Sequence, residues 1–194
     1  MTALFILCLS TAYAAPSLYL ATQLGYHHTD IEMPTLTDTL KFKDNGPTYG
    51  LGLGLNFSDE YRLELSWLGR SLMSDNILDY RDEYGIPSPQ HSYLKISTNI
   101  FLLNAYKDIC LGEKNMFYIG AGAGVLHWKT KAFNVFSQDG NEFTTALHTG
   151  VTFSIGKEAA LDIGLSWYHA FMGSDAYVND IDNIIPHIGL RVNL

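Results

Sequence analysis

Tyr49-Gly50-Leu51-Gly52-Leu53-Gly54-Leu55-Asn56-Phe57 alternates without a break between large apolar residues and small or polar ones. A strand points successive side chains to opposite faces, so this stretch reads as a β-strand with one apolar face. The helical period does not appear, since the large apolar residues are all an even number of positions apart and no two are three apart. The same period of two recurs along the chain. Leu18, Leu20, Leu24 and Tyr26 lie on one face of a first strand, before the quoted one. Tyr61, Leu63, Leu65 and Trp67 oppose Arg62, Glu64, Ser66 and Leu68 in a third.

Further on, a fourth strand from about His91 to Tyr106 sets Leu94, Ile96, Ile100 and Leu102 against Lys95, Ser97 and Asn99. A fifth carries Phe117, Ile119, Ala121, Ala123 and Val125 opposite Tyr118 and three glycines. A sixth runs from Phe143 through Leu147 and Phe153 to Ile155, facing away from His148. Leu161, Ile163, Leu165 and Trp167 oppose Asp162, Ser166 and Tyr168 in the seventh. Ile188, Leu190, Val192 and Leu194 oppose His187 and Arg191 in the eighth. Eight strands are predicted.

Connection lengths add an independent signal. Long polar segments (His28 to Asn45, Ser71 to Gln90, Ala132 to Asn141, Met172 to Asn183) follow the odd strands. Short ones (Ser58 to Glu60, Lys107 to Asn115, Gly156 to Glu158) follow the even strands. An even-stranded meander then puts four long loops at one end and three short turns at the other. The expected fold is an all-β, eight-stranded antiparallel up-and-down barrel.

Composition decides which face looks outward. Charged residues are 16% of the 194, against roughly 25% in soluble domains, while hydrophobic residues reach 47% with no long apolar run. A soluble barrel would present Lys, Asp and Glu to water. Here the face opposite the apolar one holds Gly50, Gly52, Gly54, Gly120, Gly122 and Gly124. Small residues suit the crowded interior of an eight-stranded barrel, so the apolar face is expected to meet lipid. Aromatic residues fall at both strand ends, as membrane interfaces favour: Tyr26, Tyr49, Trp67 and Trp167 toward the long loops, Phe57, Tyr61, Tyr106 and Phe153 toward the short turns.

Residues 1–14 have the form of a signal peptide. Ala3 to Leu9 are apolar and Ala12-Tyr13-Ala14 has the small-x-small cleavage pattern, although Met1-Thr2-Ala3 lacks basic residues. The mature chain is expected to be one domain, 15–194, with Cys110 as its single cysteine. A net charge of −8 argues against nucleic acid.

Tyr118-Ile119-Gly120-Ala121-Gly122-Ala123-Gly124 and the closing His187 to Leu194 are similar to strands of the small outer-membrane barrel superfamily, which includes opacity-type surface antigens and OmpA-like domains. That family usually closes on Phe where this chain has Leu194. The resemblance implies a bacterial outer-membrane location and a surface role.

With the faces so assigned, Arg62, Glu64, Lys95, His148, Asp162, Tyr168 and Arg191 project into the lumen. Isolated buried ions cost several kcal/mol, so Glu64 and Asp162 are expected to pair with Arg62, Lys95 or Arg191. Such a network makes either a structural plug or a narrow, gated pore. Two constellations point to sharper chemistry. His27-His28 near Asp30 and Glu32 would suit a weak divalent-metal site, provided the two rings converge. His169 with Ser166 and Asp175 would suit a lipid-modifying hydrolase, although Ser166 and His169 face opposite sides of an ideal strand.

The leading expectation is a non-enzymatic, monomeric surface protein without cofactor or metal. It would contact membrane lipid and lipopolysaccharide, in part through Lys129 and Lys131, and would support envelope integrity. Host or extracellular ligands would meet the acidic loops (Asp30, Glu32, Asp38, Asp44; Asp75, Asp79, Asp82, Glu83; Asp175, Asp180, Asp182). A small ion or solute channel is the alternative, and a lipid-modifying enzyme the third.

Overall fold

A computed structural model describes residues 16–34, 39–58, 60–81, 87–112, 115–132, 136–171 and 181–194. Side chains are described for 16–28, 45–58, 60–70, 97–112, 115–129, 139–171 and 182–194. The leader segment, Lys95, Lys131 and most of the acidic residues above lie outside those.

The strands are β1 (Ser17–Pro34), β2 (Thr39–Asn56), β3 (Tyr61–Arg81), β4 (Pro87–Cys110), β5 (Asn115–Ala132), β6 (Phe136–Ser154), β7 (Ala159–Phe171) and β8 (Ile181–Asn193). Each pairs antiparallel with its neighbours and β8 closes on β1, so the sheet is a closed barrel. Closure leaves no strand edge to satisfy where water is absent.

Following paired positions once round, from Leu18 through Leu55, Leu63, Ala105, Ala121, Leu147, Trp167 and Ile184, arrives at His28, a stagger of ten residues. For eight strands this corresponds to a tilt of about 40° and a climb of about 2.5 Å along the axis per residue.

The long segments differ from the loops expected. Pairing continues from His28↔Asn45 to Pro34↔Thr39 in the first hairpin, and from Ser71↔Ser97 to Arg81↔Pro87 in the second. Their polar residues suggested loops, although Ile31 and Met33, paired with Phe42 and Leu40, keep the period of two through the first hairpin. At the other end the turns are tight. Phe57 N–H bonds Tyr61 C=O, Leu111 bonds Asn115, and Ile155 bonds Ala159 across Gly156, whose φ of +146° favours glycine.

The exterior is apolar. Leu20, Leu24, Leu51, Leu53, Leu65, Leu103, Ile119, Leu147, Ile163 and Ile188 all stand exposed. Tyr26, Tyr49, Trp67 and Trp167 face outward at the long-hairpin end of this band; Phe57, Tyr61 and Phe153 do so at the short-turn end. From the stagger, Tyr26 and Tyr49 lie roughly 20 Å above Phe57 and Tyr61, close to the height of a membrane-spanning apolar band.

β4 departs from expectation. Its odd positions, Phe101, Leu103 and Ile109, face outward, while Ile100 and Leu102 are buried inside the barrel. Tyr106, expected in the lower girdle, therefore points into the lumen, where it packs edge-on to Tyr118 and against His148. Ile100-Phe101-Leu102-Leu103 is apolar on both faces, so alternation alone could not choose between them.

Candidate functional site

The lumen is built in layers, and glycines on its wall make room for them. A Cβ at Gly54 would overlap the Tyr19 ring, and one at Gly120 the Tyr106 ring. Small wall residues thus let large rings cross a barrel only just wide enough for side chains.

At the short-turn end a vestibule of about 400 Å³ opens between Asn56, Ser58, Cys110, Asn115, Lys157 and Glu158, with Asp108 and Arg191 at its inner end. Above it lies an ionic layer. Arg62 Nε donates to Asp108 Oδ2 at 3.0 Å, and both groups are buried. Arg191 reaches Asp108 at 3.9 Å and Asp162 at 3.4 Å, and Thr152 Oγ1 donates to Asp162. The Arg62 guanidinium also lies 4.0 Å from the centre of the Tyr106 ring, a cation–π contact.

The next layer is neutral apart from Glu64, which accepts from the Tyr19 hydroxyl at 3.0 Å. Ser166 Oγ lies 2.8 Å from His148 Nδ1 and 3.4 Å from His187 Nδ1. His148 Nε2 sits 3.2 Å from Asn104 Oδ1, Asn104 donates to Ser66, and Tyr118 OH meets His187 Nε2 at 3.1 Å. The cavity bounded by Gln23, Glu64, Tyr118, His148 and His187 measures about 40 Å³. That holds one or a few waters. Removing the Tyr19 hydroxyl leaves Glu64 buried with one donor fewer, so Tyr19→Phe is expected to cost about 1–2 kcal/mol in urea unfolding of the refolded barrel.

Above this cavity the lumen turns apolar. Leu68, Ile100, Leu102, Leu126, Ala146, Tyr168, Ala170 and Ile185 form one buried cluster, with Trp128 packed against it. Arg70 caps the cluster, donating to Thr98 and to Asn183.

Of the residues expected inside, Arg62, Glu64, His148, Tyr168 and Arg191 are buried there, and Asp162 is partly buried. Lys95 lies outside the described side chains. Asp162 pairs with Arg191, one of the partners expected for it, but Arg62 binds Asp108, a residue of the expected turn 107–115, and Glu64 is held by Tyr19. Tyr19, Asn104, Asp108, Tyr118 and His187 were not singled out. The signal that could have found them is parity, since each alternates with outward-facing apolar residues on its own strand.

No family model matches the chain, and no curated protein sequence matches it. Solved structures do. Neisserial surface protein A superposes with a TM-score of 0.63 over 92% of this chain and 99% of its own, at 14% identity. The N-terminal β-barrel domain of OprF from Pseudomonas aeruginosa superposes at 0.57 over 91% and 97%, at 12% identity. The chain has the fold of the small outer-membrane β-barrels. The outer membrane protease OmpT from Escherichia coli superposes at 0.55 over 96% and 99%, at 8% identity, so a barrel of this kind can also carry an enzyme.

In this outer-membrane-type barrel the two sharper constellations come apart. His27 is buried inside and His28 is exposed outside, so the rings do not converge, and Asp30 and Glu32 lie outside the described side chains. Among the described residues no group of three or more His, Cys, Asp or Glu could hold a metal ion. His169 pairs with Asp182 on the exterior, while Ser166 is sealed in the lumen. Asp175 lies outside the described residues. Ser166, His148 and Asn104 are within hydrogen-bonding distance in sequence, as a nucleophile, base and orienting group would be. The 40 Å³ space beside them admits water and no ester substrate.

Proposed function

We propose that this chain is a closed-lumen, non-enzymatic surface barrel of the bacterial outer membrane, exported by the leader at 1–14. The observation that carries this reading is the apolar cluster filling the lumen between the polar cavity and the Arg70 cap. Ions cross such a segment only by leaving water, at a cost of many kcal/mol. With the lumen given over to packing, the four outward hairpins are the working surface. Their acidic residues complement a basic protein surface better than a polyanion. Ail of Yersinia pestis, which superposes at 0.51 over 90% of this chain and 98% of its own with 13% identity, is solved with the heparin analogue sucrose octasulfate. The acidity of these hairpins favours the opposite kind of partner.

Planar-bilayer recording tests the closed lumen, with heat-modifiable gel migration showing that the barrel has formed. The expected result is no discrete current step for the folded protein. Steps that change on Glu64→Gln or Arg191→Gln substitution would establish a conducting path and replace this reading with a channel.

A further inference from the structure

The vestibule of about 400 Å³ at the short-turn end leads to a guanidinium that the protein only half satisfies. Arg191 is 6% exposed and lies on the vestibule wall. Its Nη2 donates to Thr152 at 3.3 Å and to Asp162 at 3.4 Å, and the Tyr19 ring centre lies 5.5 Å from the guanidinium carbon. Nη1 stands 3.9 Å from Asp108, beyond hydrogen-bond reach, and Asp108 already accepts from Arg62 Nε through both its oxygens. The described residues offer Nη1 no acceptor. Buried donors are ordinarily paired, and a carboxylate is the strongest acceptor a guanidinium meets.

Nearer the mouth, groups of the opposite kind line the same wall. Asn56 donates through Nδ2 to Ser17 Oγ at 3.1 Å and to Asn193 Oδ1 at 3.2 Å, which leaves its own Oδ1 as an acceptor. Lys157 and Glu158 add one charge of each sign at the turn between β6 and β7. Main-chain bonds brace the rim: Asp108 N–H donates to Glu60 C=O and Asn193 N–H to Glu158 C=O, both at 2.7 Å. A rim held this way gives up little freedom when something binds.

The four charged side chains on the wall, Arg191 and Lys157 against Asp108 and Glu158, sum to zero. A polyanion or a polycation would meet a like charge for every unlike one. A molecule with one carboxylate and one ammonium meets both kinds of group.

We infer that the vestibule binds a small zwitterion of the amino-acid or short-peptide class, with its carboxylate on Arg191 and its ammonium toward Asn56 and Glu158. The inference goes beyond the surface role proposed above and stands on the vestibule alone. A conducting barrel would replace the closed-lumen reading and leave this one in place.

Cys110, the one cysteine of residues 15–194, is exposed on the same wall and reports occupancy. The experiment follows its modification by a maleimide in the refolded mature barrel. Alanylalanine is expected to slow the reaction, with half its effect at a concentration on the order of 1 mM, as suits a ligand of so few atoms. N-acetyl-alanylalanine keeps only the carboxylate and alanylalanine amide only the ammonium, so each should protect about tenfold less well. Arg191→Gln should weaken protection by the dipeptide about tenfold, and Glu158→Gln about threefold. Heat-modifiable migration shows that each variant has folded. Glu158 is exposed at a turn, so its variant decides should Arg191→Gln not fold. Absence of protection, or equal protection by the dipeptide and both analogues, overturns the inference without any variant. Undiminished protection in the folded variants does so as well.

Discussion

Asp108→Ala is expected to lower the unfolding free energy of the refolded barrel by about 3–5 kcal/mol, the range for removing one partner of a buried ion pair. The carboxylate faces two guanidiniums, Arg62 at 3.0 Å and Arg191 at 3.9 Å. Its loss leaves Arg62 against Tyr106 and Tyr118 with no carboxylate in contact, and Arg191 with Asp162 alone. Urea unfolding followed by tryptophan fluorescence measures the loss. Arg62→Met/Asp108→Leu should recover most of it, because an apolar pair of similar volume leaves no buried charge behind. If Asp108→Ala changes stability by less than 1 kcal/mol, the ionic layer is solvated from the vestibule and the cross-lumen pairing is wrong. The variant should still pass no current, since the apolar cluster above is untouched.

Ile100→Ala and Leu102→Ala are each expected to cost about 2–5 kcal/mol, the range for opening a cavity in a close-packed core. Leu103→Ala, one residue on, should cost about 1 kcal/mol, because fluid acyl chains refill the space it leaves. The contrast between neighbours reports which way each points. Similar losses at Leu102 and Leu103 would mean that β4 is not oriented as described. Ile100→Ala with Leu102→Ala is also the combination to carry into bilayer recording. It thins the barrier to ion passage without adding charge.

Those two residues show where the sequence stops being decisive. β2 could be read outright: Leu51, Leu53 and Leu55 face lipid because only glycine and Asn56 lie on the other side. A strand buried on one face and dissolved in lipid on the other can be apolar on both, as β4 is at Ile100-Phe101-Leu102-Leu103. Its parity is then fixed by what it must pack against across the lumen, namely Leu68 and Leu126. Neither is adjacent in sequence. The misplacement of Tyr106 follows from the same ambiguity.

Asp108 illustrates a second limit. It looked like a turn residue because Lys107 to Asn115 is polar, yet β4 continues to Cys110 and places the carboxylate on the inner face. Four of the lumenal charges, Arg62, Glu64, Asp162 and Arg191, could be assigned a side from periodicity. Which of them touch could not, since partners are set by stagger and cross-barrel reach. The hairpin extensions were harder to read for another reason. Their alternation, as at Ile31, Met33, Leu40 and Phe42, is short and interrupted by polar and proline residues, and main-chain pairing itself leaves no compositional mark.

The apolar cluster has one more implication, for how voltage is distributed. At the level of the outer aromatic residues, where Leu68 and Tyr168 directly follow Trp67 and Trp167, packed apolar side chains fill the lumen with a low-dielectric plug. In the inner half, a water-accessible vestibule penetrates toward Arg191. A potential applied across the membrane therefore falls over the lumen above the vestibule, and the ionic layer stays close to the potential of the short-turn side. Arg62, Asp108 and Arg191 sit where the field is weak, so their pairing should not respond to voltage.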